Sequence, residues 1–221
     1  MDITKHEDFF NPTTIDEPIH IIGCGAIGST VAETLTRLGF TNLHLYDFDV
    51  VTPHNIANQM FRDEDIDKPK TEALKNILYS INQNVTVTTY SKGYIAQSLS
   101  GYVILAVDNI ELRNKIATNQ RFNTDISAVL DFRMGLSTAQ HYLINWSNQK
   151  DIDWYIKSTE FTSKEAEANA PKNACGLKLN LIMTVRTIVS LGITNFIKLL
   201  KKDKTQKLIQ VDVLSNLITT I

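Results

Sequence analysis

Pro18-Ile-His-Ile-Ile-Gly-Cys-Gly-Ala-Ile-Gly28 decides the fold, together with Leu43-His-Leu-Tyr-Asp-Phe-Asp49. Ile19 to Ile22 is a short apolar run ending at Gly23, as suits a strand buried on both faces of a parallel sheet. In the turn, Gly23 permits the tight bend, Gly25 lets phosphate approach the backbone, and Gly28 lets helix and strand pack closely. The helix that follows carries Ile27, Val31, Leu35 and Leu38 on one face and meets Gly39, a residue suited to end it. Its N-terminal amides would point at a bound anion.

Such a turn is weak evidence alone, because strand-to-helix bends of this kind also occur without ligand. The second strand, Leu43 to Tyr46, adds weight by ending at Asp47. A carboxylate there can accept hydrogen bonds from ribose hydroxyls; otherwise it is a solvated strand-end charge.

Working outward, 221 residues with 43% hydrophobic content can bury one good core. The expected layout is an N-terminal arm over residues 1–17 and a single domain over 18–221. Two adjacent phenylalanines, Phe9 and Phe10, imply that the arm packs on something, a second subunit being one option. A net charge of −2 gives no electrostatic reason to expect nucleic acid or an anionic membrane as partner. The N-terminus lacks the basic and apolar regions of a secretory signal, and the apolar run Leu177–Leu200 is interrupted by Lys178, Asn180, Arg186, Asn195 and Lys198. A cytoplasmic protein is the expectation. The two cysteines, Cys24 and Cys175, form no Cys-x-x-Cys pair, so no four-thiolate zinc site is built within this chain.

After Asp49 the regular pattern gives way to a polar crossover that ends in Asp67-Lys-Pro-Lys70. Asp67 reads as an N-cap with Pro69 in the first turn, and Ala73, Leu74, Ile77, Leu78 and Ile81 form the buried stripe of the next helix. Lys70 then sits where the helix dipole disfavours a cation by roughly 0.3 to 1 kcal/mol unless an anion lies in front of it; the alternative is a solvated lysine bending away. Val85–Thr89 and Tyr102–Val107 read as the third and fourth strands, the latter running into Asp108. Asp108 falls at a strand end where open α/β sheets place ligands, and with Glu111 it also reads as a capping box for a helix over Ile110–Phe122. The two roles are compatible.

Ser127–Phe132 and Ala139–Trp146 give two more strands, the second suited to antiparallel pairing. A polar segment over about 147–176, with a short helix around Asp151–Lys157, reads as a lid or crossover. A long helix over Leu177–Leu200 and a closing edge strand over Leu208–Leu214 complete the chain. The fold class is α/β, a Rossmann-like, mostly parallel sheet flanked by helices, with antiparallel C-terminal strands.

The succession Gly23-Cys-Gly-Ala-Ile-Gly-Ser29, Asp47-Phe-Asp49-Val, Asn55-Ile-Ala-Asn-Gln59, Asp67-Lys-Pro-Lys70 and Val107-Asp-Asn109 with Arg113 resembles the adenylation domain of ubiquitin-activating-like enzymes, the ThiF/MoeB/HesA group. The resemblance spans roughly residues 18–200 and implies a homodimer in its compact prokaryotic or phage form. It implies an activity: a substrate carboxylate attacks the α-phosphate of ATP with magnesium, giving an acyl-adenylate and pyrophosphate. The implied substrate is the C-terminal glycine of a small ubiquitin-like or sulfur-carrier protein, or a peptide. Position by position, it places phosphate on the turn Gly23, Gly25, Ala26 and Gly28, and ribose on Asp47. Asp49 shapes the same pocket, Asn55 and Gln59 contact phosphate, Lys70 neutralises it, and Asp108, next to Asn109, holds magnesium. No zinc site is implied, because the family's zinc-binding cysteine pairs are absent.

Two further departures separate this chain from that pattern. Where the family has Asn-Leu-x-Arg-Gln, Asn58 replaces the arginine, and the arm has no equivalent of an N-terminal arginine that reaches a partner's site. A catalytically impaired ATP-binding partner or regulatory subunit is therefore the alternative expectation. An NAD-dependent oxidoreductase is a third, resting only on the glycine turn and Asp47. Cys175, just before the long helix, is either a catalytic thiol of the kind found in relatives that continue to thioester or persulfide chemistry, or a small buried residue anchoring the helix start.

Overall fold

A computed structural model describes residues 1–162, 164–165 and 179–221. Its eight described strands form one sheet: β1 (Ile19–Ile22), β2 (Asn42–Tyr46), β3 (Thr86–Tyr90), β4 (Gly101–Leu105), β5 (Ile126–Met134), β6 (Thr138–Asn145), β7 (Leu208–Asp212) and β8 (Leu217–Thr220). The spatial order is β3-β2-β1-β4-β5-β6-β7-β8. The first five pair in parallel and the last three antiparallel. All four residues of β1 are buried, which explains the unbroken apolar run there.

Helices α1 (Ala26–Leu38), α2 (Lys70–Ile81) and α5 (Ile182–Leu200) cover one face, and α3 (Ile110–Asn119) and α4 (Gln149–Lys157) the other. The arm packs on its own chain: Phe10 is buried with its ring 5.6 Å from that of Phe40, while Phe9 stays exposed against the Lys201 ammonium. Helix α5 is apolar and long enough to span a membrane by length and composition, but Val185, Ile188, Val189, Ile193 and Phe196 are buried in the core shared with β5 and β6. Each such side chain contributes on the order of 1.5–3 kcal/mol of burial.

Several boundaries differ from expectation for identifiable reasons. Asp67 does not cap α2: its backbone is left-handed, with φ 66°, and Pro69 holds the cap position. The N-cap position of α3 belongs to Asn109, one residue beyond Asp108, and its side chain accepts from Leu112 N at 2.7 Å. Helix α3 ends at Asn119, not Phe122, and α5 starts at Ile182, with Leu177 outside the described residues. Strand β7 is not an edge, because the chain reverses and adds β8 beside it. The polar segment contains α4, and its later part takes in residues 163 and 166–176, which lie outside the described residues.

Sheet order reverses between β1 and β4, whose chains leave in opposite directions. At the carboxyl ends of those strands a crevice opens, the general ligand position in open α/β sheets.

Candidate functional site

The crevice is a cavity of about 580 Å³. Gly23, Gly25 and Ala26 line it from the turn, Asp47 and Asp49 from the end of β2, and Gln59 and Lys70 from the crossover. Asp108 and Asn109 line it from the end of β4. Nine of the residues expected to bind nucleotide are thus gathered from four separate parts of the chain. Gly28 and Asn55 do not line it. Cys175 lies outside the described residues.

The turn is built as its glycines require. Gly23 has φ 95°, and a Cβ there would stand 2.7 Å from the Ala106 carbonyl oxygen. A Cβ on Gly28 would lie 1.8 Å from the Gly23 carbonyl oxygen, so Gly28 serves packing. At Gly25 a Cβ would meet nothing within 4 Å. That open cradle faces the start of α1, which no side chain caps, so backbone donors there are available to an anion. The site therefore has room and donors for a phosphate.

Asp47 is tied into the turn. Its Oδ2 accepts from Cys24 N at 2.6 Å and its Oδ1 from Asp49 N at 2.9 Å. Burial raises its pKa, while those hydrogen bonds and the Lys70 charge oppose the rise. The same burial, with Asp47 nearby, pushes the Cys24 thiol up, so Cys24 is a packing residue and not a nucleophile.

The crossover folds back on itself. Val50 bridges Pro69, Val51 N donates to Lys68 O at 2.9 Å, and Asp67 N donates to Val51 O at 2.9 Å. This brings Lys70 beside Asp49: Lys70 is buried, and its ammonium donates to Asp49 Oδ2 at 2.7 Å. The anion that a cation needs at a helix start is Asp49, itself half-exposed to the cavity. Asn55 turns inward: its Oδ1 accepts from Thr52 N and Thr52 Oγ1, which caps a 3₁₀ turn. Gln59 Oε1 is buried and has no donor among the described residues. Asn58 Nδ2 donates to Asn180 Oδ1, and Arg62 pairs with Glu64 on the surface at 3.3 Å, away from the cavity lining.

Two lining residues carry more of the architecture than the sequence conveyed. Arg113 is buried and donates to the carbonyls of Leu105, Val107 and Phe132 while pairing with Asp131. Burial pulls its guanidinium down to about 10, with the Tyr155 hydroxyl opposing, so it stays charged at neutral pH. Arg133 donates to Asp131 Oδ2 at 2.8 Å and to the Ser158 carbonyl at 2.8 Å, with its guanidinium 4.3 Å from the centre of the Tyr142 ring. The alternation Asp131-Phe-Arg133 places both charges on one face of β5, a signal the sequence offered. Arg133, Met134, Gly135 and Phe161 also line a second cavity of about 760 Å³ that runs over β6 to β8.

Among the described residues no three metal-ligating side chains cluster. Magnesium on a nucleotide needs no such cluster, since it binds through one or two carboxylates plus phosphate oxygens and water. Asp108 at the strand end fits that donor set.

Comparison with known proteins gives these features a family. An 18% identical crystal structure of E. coli MccB with ATP superposes with a TM-score of 0.68, covering 93% of this chain and 63% of that one. A second, of MccB with MccA-N7isoASN, gives 0.72 at 18% identity, covering 93% of this chain and 64% of that one. At such identity the likeness establishes the fold. Ubiquitin-like modifier-activating enzyme 5 of Oryza sativa is 36% identical over 127 residues, which cover 49% of this chain and 30% of that protein. The molybdopterin-synthase adenylyltransferase of Haemophilus influenzae is 30% identical over 103 residues, covering 43% of this chain and 42% of that protein. The matched stretch is thus under half of either relative. The ThiF family model matches residues 16–220, nearly the whole length, and the chain belongs to the ThiF family.

Proposed function

We propose that this chain is an ATP-dependent adenylyltransferase that activates a carboxylate, the C-terminal glycine of a small ubiquitin-like or sulfur-carrier protein or of a peptide. The observation that carries the reading is the convergence of the Gly25 cradle, Lys70 and Asp108 on one cavity in a ThiF-family fold. A hydride-transferring enzyme would have no use for Lys70 or Asp108 at that place.

In the proposed reaction a carboxylate oxygen of the substrate attacks the α-phosphorus of ATP. The bond from that phosphorus to the bridging oxygen breaks, and pyrophosphate leaves with the electron pair. The turn amides and the start of α1 hold phosphate oxygens, Asp47 takes the ribose, and Lys70 offsets charge developing on the phosphates. Gln59 would donate to a phosphate oxygen through Nε2, leaving its buried Oε1 to accept from a ribose hydroxyl or water. Magnesium held by Asp108 would add Lewis-acid charge to the same oxygens. The second cavity, joined to the first at Arg133 to Gly135, gives an extended substrate tail a route to the α-phosphate. We take the working unit to be a homodimer, in keeping with the exposed apolar side chains of Leu217 and Ile218 on β8; sedimentation at micromolar concentration tests this.

Substrate-dependent exchange of radiolabelled pyrophosphate into ATP tests the reaction. Exchange with a carrier or peptide ending in glycine is expected. ATP binding without exchange, across a panel of such substrates, would instead favour an ATP-binding partner subunit, a reading kept open by Asn58 at the family's arginine position.

A further inference from the structure

At a sheet's switch point the strand that ends there leaves carbonyls without a neighbouring strand, and a buried carbonyl needs a donor. In this chain β4 leaves the ladder after Leu105, whose last partner is Asp131. Ala106 N turns to the other side and donates to Ile22 O at 2.8 Å. The carbonyls of Leu105 and Val107 therefore face the gap between β4 and β5. The Arg113 guanidinium fills that gap, donating to both and to Phe132 O on β5, with Asp131 as its counter-ion.

Val107 is bonded directly to Asp108, and Arg113 lies five residues further along, in the first turns of α3. The same short loop is pinned a second time by the Asn109 cap on Leu112 N. The backbone that carries Asp108 into the cavity is thus held by a clamp whose other end is anchored in β5, and the Arg113 charge also acts on the Asp108 carboxylate. Asp131 is fully buried and held further by Arg133 and Tyr155, whose hydroxyl donates to Oδ2 at 3.0 Å, so the anchor itself has little freedom.

We propose that Arg113 is the positioning residue that fixes Asp108 for a divalent cation on the nucleotide, acting through the Val107 carbonyl. This rests on the reading of Asp108 as the magnesium-holding carboxylate. Groups behind a metal ligand typically change metal affinity roughly 10- to 100-fold when altered. Lysine at 113 would keep the charge and lose the planar fork that reaches three carbonyls and a carboxylate at once.

The test is calorimetric titration of the whole chain with α,β-methylene-ATP, which cannot be cleaved at the reacting bond, in magnesium and in EDTA. In the parent, magnesium should tighten binding. Arg113→Lys should lose roughly 10- to 100-fold of affinity in magnesium and stay within about twofold of the parent in EDTA. Combining it with Asp108→Asn should cost little beyond Asp108→Asn alone, because both act on one contact. An unchanged magnesium effect, or an equal loss with and without magnesium, would overturn the proposal. If circular dichroism shows Arg113→Lys unfolded, Asp131→Asn, which keeps shape and removes the anchor's charge, should give the same selective loss and is judged by the same criteria. A parent whose binding ignores magnesium would remove the Asp108 reading itself, an outcome separate from failure of the variant alone.

Discussion

Lys70 and Asp49, 21 residues apart in sequence, meet through a 2.7 Å ion pair in the lining of the crevice. They meet because the crossover between them closes on itself at Val50 and Pro69. A backbone bond from Lys70 N to Asp49 O at 3.0 Å locks the same junction. The cation at the start of α2 is thereby held in the cavity lining with Asp49 as its resident anion. A phosphate entering the cradle would share Lys70 with Asp49 or displace it.

Lys70→Met should therefore separate binding from folding. Methionine keeps most of the aliphatic length of the buried lysine, and Asp49, half-exposed, remains solvated when its partner is gone. The melting temperature should move little. Pyrophosphate exchange should fall by roughly 10²- to 10³-fold, the usual loss for one charged transition-state contact. Retention of exchange within a few fold would take Lys70 out of the reaction.

Two glycines of one turn should respond oppositely to the same methyl group. Gly25→Ala meets nothing within 4 Å, so the fold should lose under about 1 kcal/mol, the order of a cap change. ATP binding should weaken because the methyl group occupies the cradle. Gly28→Ala must push the Gly23 carbonyl away from 1.8 Å, and stability should drop by about 1–3 kcal/mol or more. Thermal melts beside ATP titrations check both. If Gly25→Ala bound ATP as the parent does, phosphate would not lie over that turn.

Most of the parallel half of the fold was legible because its signals are local. The run Ile19–Ile22, the glycine turn, the stripe of α1 and the strand ending at Asp47 each lie within a short window, and the family pattern ordered them. Contacts made by the return of the chain were not legible. Asp67 carries a capping side chain, yet the Val50–Pro69 closure needs a left-handed backbone there, and the closure outweighs the local preference. Asp108 with Glu111 matches a capping box, but Asn109, one residue nearer the helix, takes the role. Asn55 fits the family's phosphate contact by position, and the cap that its Oδ1 makes on the turn at Thr52 depends on the chain's return and was not legible there. Arg113 was visible only as part of a motif; its purpose depends on β5 lying next to β4, which no spacing reveals.

Acid should destabilise the protein through two buried imidazoles. Burial lowers His20 to about 4, with neighbouring His44 adding to the effect, and lowers His141 to about 3. Both are held neutral in the fold and are free to take a proton when unfolded. Their neutral-state contribution is complete above an unfolded pKa of about 6.5 and is lost as pH falls toward the folded values. The loss is on the order of 3 kcal/mol for each group by about pH 3–4. Urea midpoints measured from about pH 7 down to about pH 4 should fall steadily, and His20→Asn should flatten that slope even if it lowers the midpoint at neutral pH. An unchanged slope would show that His20 is not buried neutral.

Asn58 gives the sharpest test of whether catalysis has been weakened in this chain. The family pattern has arginine there, and Arg62, four residues further along, is engaged with Glu64 at the surface. Of the guanidinium groups lining the cavity, that of Arg113 is consumed by three carbonyls and Asp131, and that of Arg133 is held by Asp131 and Ser158. Among the described residues Lys70 is left as the principal cation for the phosphates. The Asn58 side chain is bonded to Asn180, across from the start of α5, so an arginine could replace that contact without opening the core. Asn58→Arg should therefore fold normally and raise pyrophosphate exchange by about tenfold or more, since a correctly placed guanidinium adds transition-state charge that lysine alone does not. It should also tighten ATP, though by less than it accelerates exchange. Faster exchange with a smaller gain in ATP affinity would mean that the parent is an active enzyme lacking one phosphate contact. No gain, together with no exchange in the parent on any glycine-terminated substrate, would place the chain among ATP-binding partner subunits.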